Sequence, residues 1–348
     1  MCKGVSIVVC CHNSTSVLSR TLAYIQEQTA QQKQTPWEVI VIDNASTDGT
    51  AKLAETLWPE NPPAPLTIVS EPRLGLSFAR QRGFDEARYS VVSFVDDDNW
   101  VAPDWVEKVS KAMVDHPEVG ACGGDSEPVF ESAPPWWFDL FKTSYAIGRQ
   151  GKISSDVSDT RGYLWGAGLT FRKDAWRSLC EIGYQPLLVG RKGSALSSGE
   201  DSELCFAIMC SGWRLRYESD LRLKHFIPEN RLNWKYLRKL HRGFGSSQLI
   251  LDIYKHALNG RDPESRQSKW IRQKWLRKAI YLALELYRRR KDFIRTLAVS
   301  SEGDPEILVI EFLLGQLLDV FRLRGNYDKA HQQILGRSWS ACGNNNLA

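Results

Sequence analysis

Three apolar runs that each break off into polar residues constrain this chain more than any other feature. Ser6–Cys11 ends in His12-Asn13, Glu38–Ile42 ends in Asp43, and Val91–Val95 ends in Asp96-Asp97-Asp98. Short continuous apolar runs bounded by turn signals read as strands buried on both faces. Helical spacing lies between them, over Ser14–Gln28 with Ser14 or Thr15 as N-cap, over Thr50–Leu57, and over Leu76–Arg88. Pro59, Pro62, Pro63 and Pro65 mark a loop before a further strand at Leu66–Ser70. This alternation predicts an α/β fold with an open, mostly parallel sheet flanked by helices. Ligands of such sheets bind outside the carboxyl ends of the strands, where the three polar clusters fall.

The middle of the chain is less regular. Ala133–Phe141 reads as an aromatic-rich loop or short helix, Gly148–Thr160 as a polar segment, and Gly162–Arg172 as a strand with small residues at its centre. Asp201–Ser211 has helical spacing, and Lys224-His225-Phe226 ends a further strand. From Asn233 the chain reads as several helices with a break near Asn259–Ser265.

Asp96-Asp97-Asp98 brings three carboxylates together. At about 4 Å and an effective dielectric of about 20, each close pair costs about 4 kcal/mol. A divalent cation relieves that repulsion, and Mg²⁺ or Mn²⁺ suits carboxylate oxygens and bridges them to substrate phosphates. The competing reading is a solvated acidic turn, or an N-cap for a helix beginning near Pro103. Gly199-Glu200-Asp201-Ser202-Glu203-Leu204 opens a helix, where one acid is favoured by the helix dipole but three within four residues exceed that need. A carboxylate projecting from there into a cleft can act as a general base. His225 is either a structural imidazole or an additional cation ligand. Trp136, Trp137, Phe138 and Trp165 suit stacking on sugar rings, and equally suit packing between sub-domains.

Taken in order, these segments resemble the bacterial family 2 glycosyltransferases. Val5–Asn13 is similar to the family's opening strand, and Val39–Thr50 to its second-strand signature. Gly75–Gly83 resembles Gly-x-x-x-Ala-Arg-Asn-x-Gly, and Phe94–Asp98 resembles the segment carrying Asp-x-Asp. Gly166-Ala167-Gly168 and Gly199–Leu204 match the later acceptor-side and base motifs. The resemblance covers roughly residues 4–245. Two departures stand out: Cys10-Cys11-His12-Asn13 lacks the usual proline and aromatic, and Gln81 replaces an asparagine.

The resemblance implies a GT-A-type, Rossmann-like fold and an inverting hexosyl transfer from a nucleotide-diphosphate sugar, with UDP as the expected carrier, to a hydroxyl acceptor. Cys10, His12, Asn13, Asp43, Arg80, Asp96 and Asp97 then contact the nucleotide. Asp98 and His225 hold a divalent metal (Mn²⁺ or Mg²⁺), Asp201 is the catalytic base, and Trp136, Trp137, Trp165 and Glu200 face the acceptor. The expected product belongs to polysaccharide or glycolipid biosynthesis. The implied layout is a catalytic domain over 1–230, with a nucleotide-sugar half over 1–125 and an acceptor half over 126–230, then a basic helical extension over 231–348.

Two other functions compete. A sugar-phosphate nucleotidyltransferase needs a Gly-rich basic loop after the first strand, and His12-Asn13-Ser14-Thr15-Ser16 has neither glycine nor lysine. A basic nucleic-acid-binding protein leaves both acidic clusters unexplained, so no nucleic-acid partner is expected.

Charge is unevenly spread. Arg231–Lys291 holds seventeen Lys/Arg against four Asp/Glu, a balance of +13 in a chain whose net charge is +4. Within it, Ser268–Arg290 predicts an amphipathic helix with Trp275, Ala279, Leu282 and Leu286 on one face. Basic helices with aromatics suit anionic bilayers, which predicts peripheral contact with the inner face of a membrane and a lipid-linked saccharide acceptor. The alternative is a helix packed on the catalytic domain with solvated charges. Ile307–Phe321 is interrupted by Glu311, Gln316 and Asp319, so it reads as a buried helix. The first apolar run is too short for a signal peptide. The eight cysteines lack zinc-type spacing, which predicts reduced thiols and a cytoplasmic setting.

Overall fold

In the computed structural model, residues 2–29, 35–188, 199–259, 274–296 and 302–339 are described. The first strand, β1 (Cys2–Cys11), lies between β2 (Trp37–Asp43) and β4 (Tyr89–Asp96), parallel to both. Its side chains Val5, Ile7, Val8 and Val9 are wholly buried because helices cover both faces, which is why the run does not alternate. β3 (Leu66–Ser70) extends the parallel set beyond β2. The intervening helices are α1 (Leu18–Gln26), α2 (Thr50–Leu57) and α3 (Leu76–Glu86).

Beyond β4 the sheet becomes mixed. The elements are β5 (Asn99–Val101), α4 (Trp105–Asp115), β6 (Val119–Phe130), α5 (Phe138–Phe141), β7 (Ser155–Asp156), β8 (Thr170–Arg172), α6 (Lys173–Glu181), α7 (Glu200–Cys210) and β9 (Arg214–Ile227). One nine-stranded sheet results, in the order β3-β2-β1-β4-β8-β6-β9-β5, with β7 attached to β9. β8 runs antiparallel to β4 and β6, and β6 runs parallel to β9 over a long register. The expected strand over Gly162–Arg172 is confined to β8, because Gly166 and Gly168 instead form a loop at the strand-end rim.

The C-terminal helices are α8 (Trp234–Asn259), α9 (Trp275–Arg288), α10 (Arg290–Arg295), α11 (Pro305–Leu323) and α12 (Gly325–Leu335). They share a core with the sheet: Leu249, Ile253, Leu282 and Val320 belong to one buried cluster with Phe171, Leu204 and Phe206. α8 and α11 cross closely. A Cβ on Gly245 would lie 1.9 Å from the Phe312 carbonyl oxygen, and one on Gly315 would lie 2.0 Å from that of Arg242. Glu311 of α11 is buried at this crossing and takes ion pairs from Arg238 (2.7 Å) and Arg242 (2.5 Å). Part of the basic segment's charge is thus spent inside the protein, and Ile307–Phe321 is helical as expected.

α9 packs differently from its sequence reading. Ala279 and Leu282, from the expected bilayer face, are buried against the protein. Leu276, Ile280, Leu284 and Tyr287 point outward, 52%, 52%, 54% and 67% exposed. The part of the expected helix over 268–273 lies outside the described residues, as do much of the expected break at Asn259–Ser265 and Cys342. The six cysteines from Cys10 to Cys210 are free thiols.

Candidate active site

Sheet register brings the polar strand ends to one rim. Cys10 lies beside Asp96, and Cys11 beside Asp43. A cavity of about 870 Å³ opens there, lined by Cys10, His12, Arg80, Asp96, Asp97 and Asp98 on the strand-end side. Trp165, Glu200, Asp201 and His225 also line it, so ten of the residues singled out in the sequence converge.

Four do not line it. Asn13 adopts a left-handed backbone (φ 53°), and its Oδ1 accepts from the Thr47 amide at 2.8 Å, bracing the two strand-end turns against each other. Asp43 accepts from the Ser46 amide at 3.3 Å, and the next residue, Asn44, lines the cavity instead. Trp137 is fully buried edge-on against Trp234, their centroids 5.4 Å apart, so its ring is core and meets no acceptor. Trp136 is 71% exposed away from the cavity and lies against Gly303, where a Cβ would approach its ring to 2.3 Å.

The acidic turn is built by short-range geometry. β5 pairs antiparallel with β9, setting Asn99 opposite His225, and the Phe226 amide donates to the Asp98 carbonyl at 2.9 Å. This places His225 Nε2 3.6 Å from Asp98 Oδ1. The chain then turns through Pro228 and a short helical turn, Glu229–Arg231, and Arg231 Nη1 donates to Asp98 Oδ2 at 3.0 Å. The Tyr145 hydroxyl holds that turn by donating to the Arg231 carbonyl at 3.1 Å. Burial and the Asp98 charge push the Asp97 carboxyl up to about 7, against a hydrogen bond from the Ser14 hydroxyl. Burial pushes the Cys10 thiol up to about 12, so it stays an S–H.

A second acidic group faces the first. Gly199 caps α7 with φ 105°, and a Cβ there would also lie 2.9 Å from Ser247 Cβ of α8. Glycine is required twice over at this position. Glu200 and Asp201 follow in the first turn, and the Ser202 amide donates to Asp201 Oδ1 at 2.7 Å. Arg80, 5% exposed, approaches Glu200 to 3.8 Å. Burial opposes its charge, but Glu200, Asp96 and Asp201 outweigh that and raise its pKa. A Cβ on Gly166 would lie 2.8 Å from Arg80 Nη2 and 3.2 Å from Asp201 Oδ2, so the glycine lets the Arg80–Asp201 neighbourhood close up.

Asp98 Oδ1 and His225 Nε2 fit one divalent cation, being one oxygen and one neutral-capable imidazole nitrogen on the same side of the turn. His225 Nδ1 is buried without a hydrogen-bond partner among the described residues. No cluster of three His, Cys, Asp or Glu suited to a metal occurs among the described residues. A cation held there would take further ligands from substrate oxygens and water, a usual arrangement for Mg²⁺.

Comparison with known proteins places the chain in a family. Residues 6–175 match the profile described as Glycosyl transferase family 2, and residues 91–299 match Glycosyl transferase family group 2. The chain belongs to glycosyl transferase family 2. Among curated relatives, this glycosyltransferase is 24% identical over 255 residues to glucosyl-dolichyl phosphate glucuronosyltransferase of Haloferax volcanii, covering 72% of this chain and 77% of that one. It is 28% identical over 211 residues to the succinoglycan biosynthesis protein ExoM of Rhizobium meliloti, covering 60% of this chain and 62% of that one. Among solved structures, the mannosyltransferase PcManGT from Pyrobaculum calidifontis in complex with GDP-Man and Mn²⁺ aligns with TM-score 0.54 at 17% identity, over 92% of this chain and 88% of that one. S. aureus TarS 1–349 in complex with UDP-GlcNAc aligns with TM-score 0.54 at 16% identity, over 96% and 90%. The fold of this glycosyltransferase is GT-A.

Sequence reading missed one wall of the glycosyltransferase's cavity. Tyr236, Leu240, Phe244, Gln248, Leu251 and Lys255 of α8 line it, one face of a single helix. Their three-to-four spacing was the available signal. Arg231 was missed as well, although it follows His225 by six residues at the start of the basic segment.

Proposed function

We propose that this glycosyltransferase moves a hexose from a UDP-linked donor to a hydroxyl acceptor with inversion, in polysaccharide or glycolipid biosynthesis. The observation that carries the reading is the pairing across one cavity of a cation-ready acidic turn, Asp98 with His225, and a helix-borne carboxylate, Asp201. The PcManGT and TarS complexes, with their nucleotide-sugars, support a nucleotide-sugar donor, and the former's Mn²⁺ supports a metal. Cys10, His12 and Asp96 contact the nucleotide, with Asp97 bracing the turn through Ser14.

Asp201 takes the proton of the acceptor hydroxyl as that oxygen attacks the anomeric carbon from the face opposite the diphosphate. A carboxylate suffices because the hydroxyl acidifies only as its bond to carbon forms. Arg80 and Arg231 hold positive charge beside the carboxylates and keep the rim from repelling a diphosphate. Asp98 and His225 would hold a divalent cation, which would supply Lewis-acid stabilisation of charge on the leaving diphosphate. Glu200 orients Arg80, and Trp165 presents a ring to the acceptor side.

The catalytic unit takes in the sheet together with α8, and the remaining basic helices form a buttress outside it. The outward stripe of α9, flanked by exposed Lys274, Arg288, Arg290 and Lys291, supports peripheral contact with an anionic bilayer and a lipid-linked acceptor. No described helix is long and apolar enough to cross a membrane.

Calorimetry with UDP, with Mn²⁺ and then with chelator, tests the donor side. Asp98→Ala is expected to abolish the metal-dependent part of UDP binding. Equal UDP binding with and without chelator contradicts the metal role, and absence of UDP binding contradicts the donor. The anomeric configuration of the product, read by NMR, decides inversion.

A further inference from the structure

The ionised groups lining the cavity do not all find opposite charges within it. Among the cations, Arg80 approaches Glu200 to 3.8 Å and Arg231 bonds Asp98 at 3.0 Å. Arg161 and Lys255 also line the cavity, and neither has a carboxylate within ion-pair distance among the described residues. Arg161 is partly buried, with its guanidinium 4.5 Å from the ring centroids of both Tyr163 and Trp165. Its Nε donates to the Tyr163 carbonyl at 3.1 Å, so the fork is held in place while its remaining N–H groups keep unused donor capacity. Lys255 reaches in from α8 and sits 5.7 Å from the centroid of Phe206. Phe206 also packs near Gly162, the neighbour of Arg161, where a Cβ would be 3.5 Å from its ring. Lys255 thus reaches the ring of Phe206, and the backbone next to Arg161 borders the same ring, five residues along α7 from Asp201.

Arg161 is half-buried and Lys255 is exposed, so the cost of keeping a cation without a counter-ion falls on Arg161, and a ligand anion offsets that cost. Arg161 and Lys255 line the cavity together with Phe244 and Leu251 of α8. From these two unpaired cations beside the base, we infer that the acceptor carries an anionic group, a phosphate or carboxylate on or next to the accepting sugar, held by Arg161 and Lys255. The fork of Arg161 suits a planar or bidentate anion, and Lys255 adds a point charge on the open side. The inference rests on the acceptor side of the reading above and names its substrate class.

The test uses the full chain with α-D-glucose 1-phosphate and glucose as probes, by calorimetry, with and without saturating UDP. Glucose 1-phosphate is expected to bind at least about tenfold tighter than glucose when UDP already fills the donor place, the value of one charge-assisted hydrogen bond. Arg161→Gln and Lys255→Gln should each remove about tenfold of that preference, Arg161→Lys should restore part of it, and UDP affinity should stay within about twofold. Equal binding of the two probes overturns the inference. So does a loss of UDP affinity in Arg161→Gln matching its loss of the probe, or displacement of the probe by UDP, because either assigns the cations to the donor. Failure of the unaltered protein to bind UDP strikes at the donor reading alone, since the comparison of probes without UDP still reads the anionic subsite.

Discussion

The strand-end wall of the cavity and the α8 wall opposite it are assembled in different ways. At the strand ends, the ladder of β2, β1 and β4 sets Cys10 beside Asp96 and Cys11 beside Asp43, and the cavity-lining polar residues sit at or just past the ends of apolar runs. The α8 wall has no such ladder. Its side chains reach the cavity because Gly245 and Gly315 let two helices touch backbone to backbone, about seventy residues apart in sequence. Position on the first wall is local, and position on the second depends on one tertiary crossing.

Asp201 stands where the walls meet, and changing it should produce the largest effect. Asp201→Asn is expected to lower sugar transfer at least about 100-fold while UDP affinity is unchanged, because a general base touches the acceptor and not the donor. Near-normal turnover with the fold intact would remove Asp201 from the mechanism and with it the functional link between the walls.

The crossing itself comes next. Gly245→Val places side-chain atoms where the Phe312 carbonyl oxygen already lies, 1.9 Å from the Cβ position. Overpacking of this kind costs typically about 1–3 kcal/mol, and the upper end is expected where backbone is struck. Denaturant unfolding should show that loss, and the acceptor KM should rise while UDP affinity holds. A variant with unaltered stability and unaltered acceptor KM shows that the α8 wall does not depend on this contact.

The contrast also decides what could be read from sequence. Thr50–Leu57 and Leu66–Ser70 have the bounds that spacing and punctuation predict, and the strand-end motifs all fall on one rim, because each depends on neighbours a few residues away. β6 carries little strand signal in its sequence. Gly120, Gly123, Gly124 and Pro128 suppress its signal, yet a Cβ on Gly124 would lie 2.0 Å from the Leu221 carbonyl oxygen, so β9 demands the glycine. The aromatic cluster at Trp136-Trp137-Phe138 carries no mark separating sugar stacking from packing, and Trp137 on Trp234 is a contact nearly a hundred residues long. For α8, periodicity announces an inward face, but a face pointing to a core and one pointing to a cavity look alike until the helix is docked.

Glu203 ties the α8 wall to α7, the helix that carries Asp201, and gives a pH-dependent reading of that tie. It is fully buried on α7, accepts from the Leu187 and Leu188 amides, and takes the Tyr254 hydroxyl of α8 at 3.0 Å. Burial, outweighing these hydrogen bonds, raises its pKa from 4.5 to about 7. A raised folded-state pKa gives a contribution to stability that is fully present below about 4.5 and lost as pH rises to about 7. The folded state keeps the proton that the unfolded chain releases first. The expected loss across that window is about 1–3 kcal/mol, and Glu203→Gln should flatten it. Parallel stability-against-pH curves for the two proteins would show that Glu203 is ionised in the fold and that its buried links are held another way.

The smallest effect belongs to a surface that does not line the cavity. α9 is apolar on two faces: Ala279 and Leu282 are taken up by the protein, and Leu276, Ile280, Leu284 and Tyr287 are left outside. An exposed apolar stripe of this kind suits a second apolar or interfacial medium. The cations around it are not equivalent. Arg289 is engaged with Glu306 at 2.7 Å and Glu285 at 3.4 Å, and Lys278 with Asp252 at 3.2 Å, so changing these tests the fold. Arg290 and Lys291 are exposed, and each basic residue near an anionic bilayer contributes about 1 kcal/mol. Sedimentation with phosphatidylglycerol-containing vesicles is expected to pellet the protein at low salt. Arg290→Glu with Lys291→Glu should weaken binding about tenfold to thirtyfold, and Ile280→Ser with Leu284→Ser should weaken what remains at high salt. The salt-sensitive and salt-resistant parts then separate charge from apolar insertion. If the protein stays in the supernatant at low salt, the outer stripe meets no bilayer, and the anionic group inferred for the acceptor has to be sought on a soluble saccharide.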